Sequence, residues 1–307
     1  MARSSEPAQY EKCESTANLK HFGLSDVDRE TLMTITALDT GTTDLLAALD
    51  EGVLTLTLNR PEARNAMSRA MNQALARQLA AAALEPDVRC IVLTGSGKGF
   101  CAGGDVKAMA ASGDGTVGEA TIDEAIHRQR VNQRETAGAL FQMPKPTLAA
   151  LPGPAAGAGL SLALACDLRI MATTAIMTTA FARVGFSGDY GGTYFMTQLV
   201  GAAKARELYF LSERVNAEEA LRLGLVNWIC APEDLAARTH EIARRLASGP
   251  TVAYRYMKEN LNRAMNRDLD DCLDLEATHH IHCGQTEDHR EASRAFVEKR
   301  EPVFRGR

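Results

Sequence analysis

Two stretches of this chain place small residues where backbone N–H groups could do chemistry. Residues 95–105 read GSGKGFCAGGD and residues 151–167 read LPGPAAGAGLSLALACD. Each follows a short apolar run, at 90–94 and 147–151, of the length of a buried strand. In the second stretch Pro152, Gly153 and Pro154 break any regular element. Every side chain from Ala155 to Gly159 is then a methyl group or absent, and apolar residues 160–166 follow at once. A glycine-rich turn feeding a buried helix lets a ligand lie close to the backbone. It also offers unpaired N–H groups at the positive end of a helix. Such a place suits an anion, either a phosphate or an oxyanion that develops only during a reaction. The same composition also serves a tight turn that packs a helix against its neighbour.

Narrower readings of these glycines fail. A phosphate loop needs G-x-x-x-x-G-K-[ST], but Val92 holds the place of its first glycine and Gly99 follows Lys98. Neither stretch has the G-x-G-x-x-G of a dinucleotide site with an acid about twenty residues on. What remains is a pair of turns whose N–H groups could converge on one carbonyl oxygen, an oxyanion hole. His279, His280, His282 and Cys283 resemble a metal cluster, yet offsets of zero, one and three do not share one helix face. No metal is expected there. Cys101 and Cys166 flank the turns without a local histidine partner and read as core cysteines.

The elements that must position these turns read as α/β. Residues 1–43 are polar and aperiodic, an expected extension, partly disordered, with a short helix near 25–32. From residue 44 to 248 strands alternate with helices. Val53–Leu58 alternates Val-Leu-Thr-Leu-Thr-Leu, Ser68 caps a helix to Leu84, and residues 121–141 read as one long amphipathic helix. Residues 110–118 read as a mobile loop. Strands are expected at 168–172 and 226–229, and helices at 191–200, 204–211 and 217–223. Beyond Pro232 the chain reads as all-helical, at 233–248, 251–265 and 268–300, and residues 249–307 form a C-terminal helical layer. A net charge of −5 argues against nucleic-acid binding. Seven cysteines without a C-x-x-C pair suit reduced thiols. With no long apolar run and no signal-peptide core, a soluble, cytoplasmic protein without membrane contact is expected.

Taken together, NRPEARNAMS (59–68), GFCAGGDVKAM (99–109), PGPAAGAGLSLALACD (152–167), GGTYFMTQLVG (191–201), AEEALRLGLVNWI (217–229) and AFVEKREPVF (295–304) resemble the crotonase superfamily of enoyl-CoA hydratases and isomerases. The resemblance implies a spiral of ββα units with C-terminal helices that build a homotrimer or a dimer of trimers. It implies an acyl-CoA thioester whose oxygen sits between the N–H groups of Gly104 and Ala158. The nucleotide end would lie near Arg64, Ala66, Ala102, Asp105 and Val106, with Lys107 meeting phosphate. Tyr190, Phe296 and Lys299 would also reach the ligand.

The chain departs from the hydratase pattern. Hydratases place two glutamates over the double bond, and the matching positions here hold Ser161 and Phe181. Asp189, in GFSGDYGG, matches a catalytic aspartate of the isomerases of phenylacetate degradation and related enoyl-CoA isomerases. The implied reaction is a double-bond shift with Asp189 as base and neither metal nor redox cofactor. The alternatives are a hydratase with another water-holding group, a dehalogenase or hydrolase using Asp189 as nucleophile, and a non-catalytic acyl-CoA-binding protein.

Overall fold

The computed structural model describes residues 35–105 and 121–307. Strands β1 (Thr36–Leu38), β2 (Leu45–Asp50) and β3 (Val53–Leu58) form an antiparallel meander. Strand β1 falls inside the stretch read as an extension, and β2 directly precedes the first strand read from the sequence. Ser68 caps helix α1 (Arg69–Leu84) by accepting from Met71 N–H, and its buried stripe Met71, Ala74, Leu75, Leu79 and Ala82 faces the core. Burying each of its two leucines contributes about 2 kcal/mol.

Strand β4 (Cys90–Gly95) then lies parallel to β3. Helix α2 (Ile122–Gln133) opens on a capping box between Thr121 and Glu124. The long helix expected over 121–141 runs without a break from 122 to 142, but a π-helical turn interrupts its regular α-helical bonding. Helix α2 buries none of its residues, a π-helical turn occupies Arg134–Gly138, and α3 is short (Ala139–Gln142).

Strands β5 (Thr147–Leu151) and β7 (Leu168–Ala172) extend the parallel sheet, with β6 (Ala155–Ala156) and α4 (Ala158–Ala165) between them in the chain. All eight residues of α4 are buried. Strand β8 (Ile176–Thr178) pairs with β6 and with β9 (Val215–Asn216) in a second, three-stranded sheet. A 3₁₀ turn follows β8 at Phe181–Val184. The two expected helices are both present along α5 (Gly192–Leu211), separated by a kink at Gly201, whose φ of 77° is not helical.

Helix α6 (Ala217–Arg222) leads to β10 (Trp228–Cys230), which closes the seven-stranded order β1-β2-β3-β4-β5-β7-β10. Helix α7 (Leu235–Ala247) lies across β3, β4, β5 and β7 on Leu235, Thr239, Ala243 and Ala247, one helix face at spacing four. With both sides of the sheet covered, Thr57 of the alternating strand β3 is buried along with its leucines.

Three helices make the C-terminal layer: α8 (Thr251–Ala264), α9 (Leu269–Gly284) and α10 (Glu287–Glu298). The single helix expected over 268–300 divides because Gly284 weakens its end and Thr286 caps a new one, accepting from His289 N–H. Lys258 of α8 ties this layer to the core, donating to Leu140 O and to Asp167 Oδ2, each at 2.9 Å. Among the described residues no helix is long and apolar enough to cross a membrane.

Candidate active site

The two glycine-rich turns are laced to each other by backbone. Phe100 and Cys101 N–H both donate to Pro154 O, and Ala156 N–H donates to Cys101 O at 2.9 Å. Side chains cannot enter this seam. A Cβ on Gly153 would lie 2.0 Å from Lys98 O, and one on Gly159 would lie 2.5 Å from Cys101 O. Gly103 adopts φ +89°, and a Cβ there would stand 2.9 Å from Ala156 O and 3.2 Å from Ala158 N. The turns are therefore in van der Waals contact where Gly104 and Ala158 begin.

Ala158 is the first residue of α4, so its N–H has no intrahelical acceptor. Neither it nor the Gly104 N–H donates to an acceptor among the described residues. Both residues line a cavity of about 880 Å³. Asn65, fully buried in the NRPEARNAMS motif, holds the first turn in shape. Its Nδ2 donates to Ser96 O and Gly99 O, and its Oδ1 accepts from Arg60 N–H.

The cavity is also lined by Phe181, Gly188, Asp189 and Tyr190. Asp189 is held in a segment of unusual backbone, with Gly188 at φ 114°, Tyr190 at 49° and Gly191 at 75°. Its Oδ1 is buried without a hydrogen-bond partner, and burial pushes its carboxyl up from 3.8 to about 6. Burial raises the phenols of Tyr190 and Tyr209 as well, and the nearby Asp189 charge adds to both shifts. The Phe181 ring stacks on Tyr209 at 5.8 Å with 15° between planes, presenting an aromatic surface to the cavity. Ser161 is buried, and its hydroxyl donates to Gly157 O at 3.3 Å.

The other sequence-derived residues are less uniform. Arg64, Ala66 and Ala102 group beside the first turn, where Ala102 N–H donates to Arg64 O. Asp105 pairs with the Arg60 guanidinium at 3.1 Å. None of these four lines the cavity. Val106 and Lys107 lie outside the described residues, as do the expected helix near 25–32 and the loop at 110–118. Phe296 and Lys299 sit at the end of α10, away from the cavity lining, with Phe296 86% exposed. His279 stacks on Tyr256 and bonds Asn260 at 2.6 Å.

Residues 48–307 match the enoyl-CoA hydratase/isomerase family profile. The chain belongs to that family. It is 36% identical to the 1,2-epoxyphenylacetyl-CoA isomerase of Escherichia coli over 264 residues, covering 86% of this chain and 98% of that protein. It is 38% identical to a probable enoyl-CoA hydratase of Rhodobacter capsulatus, covering 84% and 96%. The structure of a putative enoyl-CoA hydratase from Streptomyces coelicolor superimposes with a TM-score of 0.81 at 34% identity, over 86% of this chain and 94% of that one.

Within this enoyl-CoA hydratase/isomerase fold the cavity has walls that the sequence reading missed. Asn72 and Gln73 of α1 line it, as do Ile122, Ile126 and Gln133 of α2. Asn72 Nδ2 donates to the Tyr190 hydroxyl at 3.3 Å, and Gln133 Oε1 accepts from Tyr190 N–H at 2.6 Å. Asn72 directly follows Met71 of the buried stripe, but a polar residue flanking such a stripe looks like any surface position in one dimension.

Proposed function

We propose that the chain is an enoyl-CoA isomerase that moves a double bond along an acyl-CoA thioester. Among the described residues, Asp189 is the one carboxylate that lines the cavity, and that observation carries the reading. The thioester oxygen would accept from Gly104 N–H and Ala158 N–H, and these fixed donors would stabilise the charge that forms on it. Asp189 would remove a proton from C4 of a 3-enoyl-CoA, leaving a dienolate. The same carboxyl would return the proton at C2, so the product is the 2-enoyl-CoA and the base is regenerated. Its poise near 6 leaves it mostly ionised at pH 7 yet able to hold a proton in transit. The chemistry needs no metal and no cofactor besides the coenzyme A of the substrate.

Hydration asks for a second group to hold water. Phe181 cannot do so, and the Ser161 hydroxyl donates to Gly157 O. The name of the Escherichia coli relative, an isomerase, is consistent with this choice. Hydration is the second reading, resting on Asn72 Oδ1, a buried acceptor without a partner that could hold water at the cavity wall. Arg64, Ala66, Ala102, Asp105, Val106 and Lys107 are proposed to flank the nucleotide, and Tyr190 the acyl group. A homotrimer or dimer of trimers is proposed as the assembly. Exposed apolar side chains on the C-terminal helices, Leu261, Leu269, Leu273 and Ile281 among them, support it. Phe296 and Lys299 would then meet the ligand through that assembly.

The deciding experiment offers trans-3-hexenoyl-CoA and trans-2-hexenoyl-CoA to the enzyme and follows the conjugated thioester absorbance with product analysis. Conversion of the 3-enoyl to the 2-enoyl thioester is expected. Efficient formation of 3-hydroxyhexanoyl-CoA would replace isomerisation by hydration, and turnover of neither would remove both.

A further inference from the structure

The segment that carries Asp189 lacks the lacing of the two glycine turns. Tyr190, directly after the carboxylate, sits at φ 49°, a conformation that residues with a side chain avoid. Three hydrogen bonds hold Tyr190 there, one of them the turn bond from Gly192 N–H to Asp189 O at 3.0 Å that closes around it. In the other two, the Tyr190 hydroxyl accepts from Asn72 Nδ2 of α1, and its N–H donates to Gln133 Oε1 of α2 at 2.6 Å.

Gln133 is placed for this by an irregularity in the chain. It is the last residue of α2, a helix that buries none of its residues and forms a wall of the cavity. The π-helical turn Arg134–Gly138 begins at the next residue and sinks Thr136 and Ala137 into the core. Turns of this kind often mark functional positions. The core thus grips the chain three residues beyond Gln133, at Thr136, while Gln133 itself bonds the backbone next to Asp189. Asp189 Oδ1 makes no hydrogen bond of its own, so the carboxylate is aimed by its backbone and not by a side-chain partner.

We propose that Gln133 is a positioning residue: by accepting the Tyr190 N–H it fixes the left-handed backbone that directs the Asp189 carboxylate at the substrate. The proposal rests on Asp189 being the base. Gln133 would touch no reacting atom. Its loss leaves ligand binding intact and misaims the proton transfer, and an error of about 1 Å can cost on the order of 10²-fold in rate.

The test compares Gln133→Ala, Gln133→Asn, Gln133→Glu and Asp189→Asn in the full chain. Turnover is measured at pH 8 with whichever of 3-hexenoyl-CoA and 2-hexenoyl-CoA the wild type consumes. Affinity is measured by calorimetry with hexanoyl-CoA, which cannot react, and folding by circular dichroism. Gln133→Ala and Gln133→Asn should each lower kcat roughly 10- to 100-fold and leave the hexanoyl-CoA Kd within about twofold. Gln133→Glu keeps an acceptor at the same reach and should stay within about threefold of wild type, a rescue that general loss of packing would not produce. A kcat for Gln133→Ala within twofold of wild type would overturn the proposal. So would a Gln133→Glu no better than the alanine variant, or a lost affinity that accounts for the lost rate. If Asp189→Asn is inactive while all three Gln133 variants are active, only the positioning role falls. If Asp189→Asn remains active, the base assignment falls and takes this proposal with it.

Discussion

The two sides of the cavity are built on opposite principles. On one side, the turns that end in Gly104 and Ala158 are sealed to each other by backbone hydrogen bonds and by glycines with no room for a methyl group. On the other, residues 182–187 are exposed, the backbone around Asp189 runs through positive φ, and the carboxylate is half-buried and unpaired. The first side is made only of donors that never change protonation state, and rigidity costs them nothing in function. The second side carries the group proposed to gain and lose a proton. A good hydrogen-bond partner would lock it as a carboxylate, so it is desolvated and left alone. Stability is concentrated where geometry must not change and given up where charge must.

Asp189→Asn tests the contrast between the two sides most directly. It keeps the shape and removes the base, so kcat on 3-hexenoyl-CoA should fall about 10²–10⁴-fold while hexanoyl-CoA still binds. Retention of most of the activity would show that the unpaired side is not the reactive one.

Next in size is Gly103→Ala, which forces a methyl group against Ala156 O and Ala158 N and spreads the two donors. A loss of about 10²–10³ in kcat is expected, the scale for a missing oxyanion donor, together with a lowered Tm. A variant with normal turnover would mean that the seam does not set the donor geometry.

The pH dependence sharpens the contrast further. Only the ionised carboxylate accepts a proton, so kcat/KM should fall about tenfold per pH unit below about 6 and level off above it. Asp189→Asn should lose that inflection. A wild-type rate flat from pH 5 to 8 would contradict the assignment.

The smallest effect has the opposite sign from the glycine substitution. Because the protonated carboxyl is favoured in the folded chain, stability is lost as pH rises from about 4 through about 6. At about 1.4 kcal/mol per pH unit, the ionised group costs on the order of 2–3 kcal/mol at pH 7. Asp189→Asn should therefore melt a few degrees higher than wild type at pH 7 and nearly equal to it at pH 4. A lower Tm at pH 7 would mean that the carboxylate is paired and that the two sides of the cavity do not differ.

The part of the molecule built from local signals is legible in the chain alone. Strands β3, β4, β5 and β7, the Ser68 cap and the break between the C-terminal layer and the sheet follow from short-range pattern. The glycine turns are legible because only a missing side chain permits backbone to touch backbone at Gly153, Gly159 and Gly103, and such absences are written residue by residue. Asp189 was legible through family resemblance, since an aspartate between glycines is by itself an ordinary turn residue. Other features were decided only in three dimensions. Strands β6, β8 and β9 are too short to carry a period of their own and exist because their partners reach them. Helix α2 looks amphipathic in sequence, yet its apolar residues Ile122 and Ile126 face a cavity instead of a core. Asn72 and Gln133 lie 61 positions apart and meet at Tyr190. No local pattern encodes that meeting, because it depends on where the sheet sets α1 and on where the π-helical turn anchors α2. The poise of Asp189 near 6 belongs to the same class, for desolvation is a property of everything packed around a carboxylate and of nothing beside it in the chain.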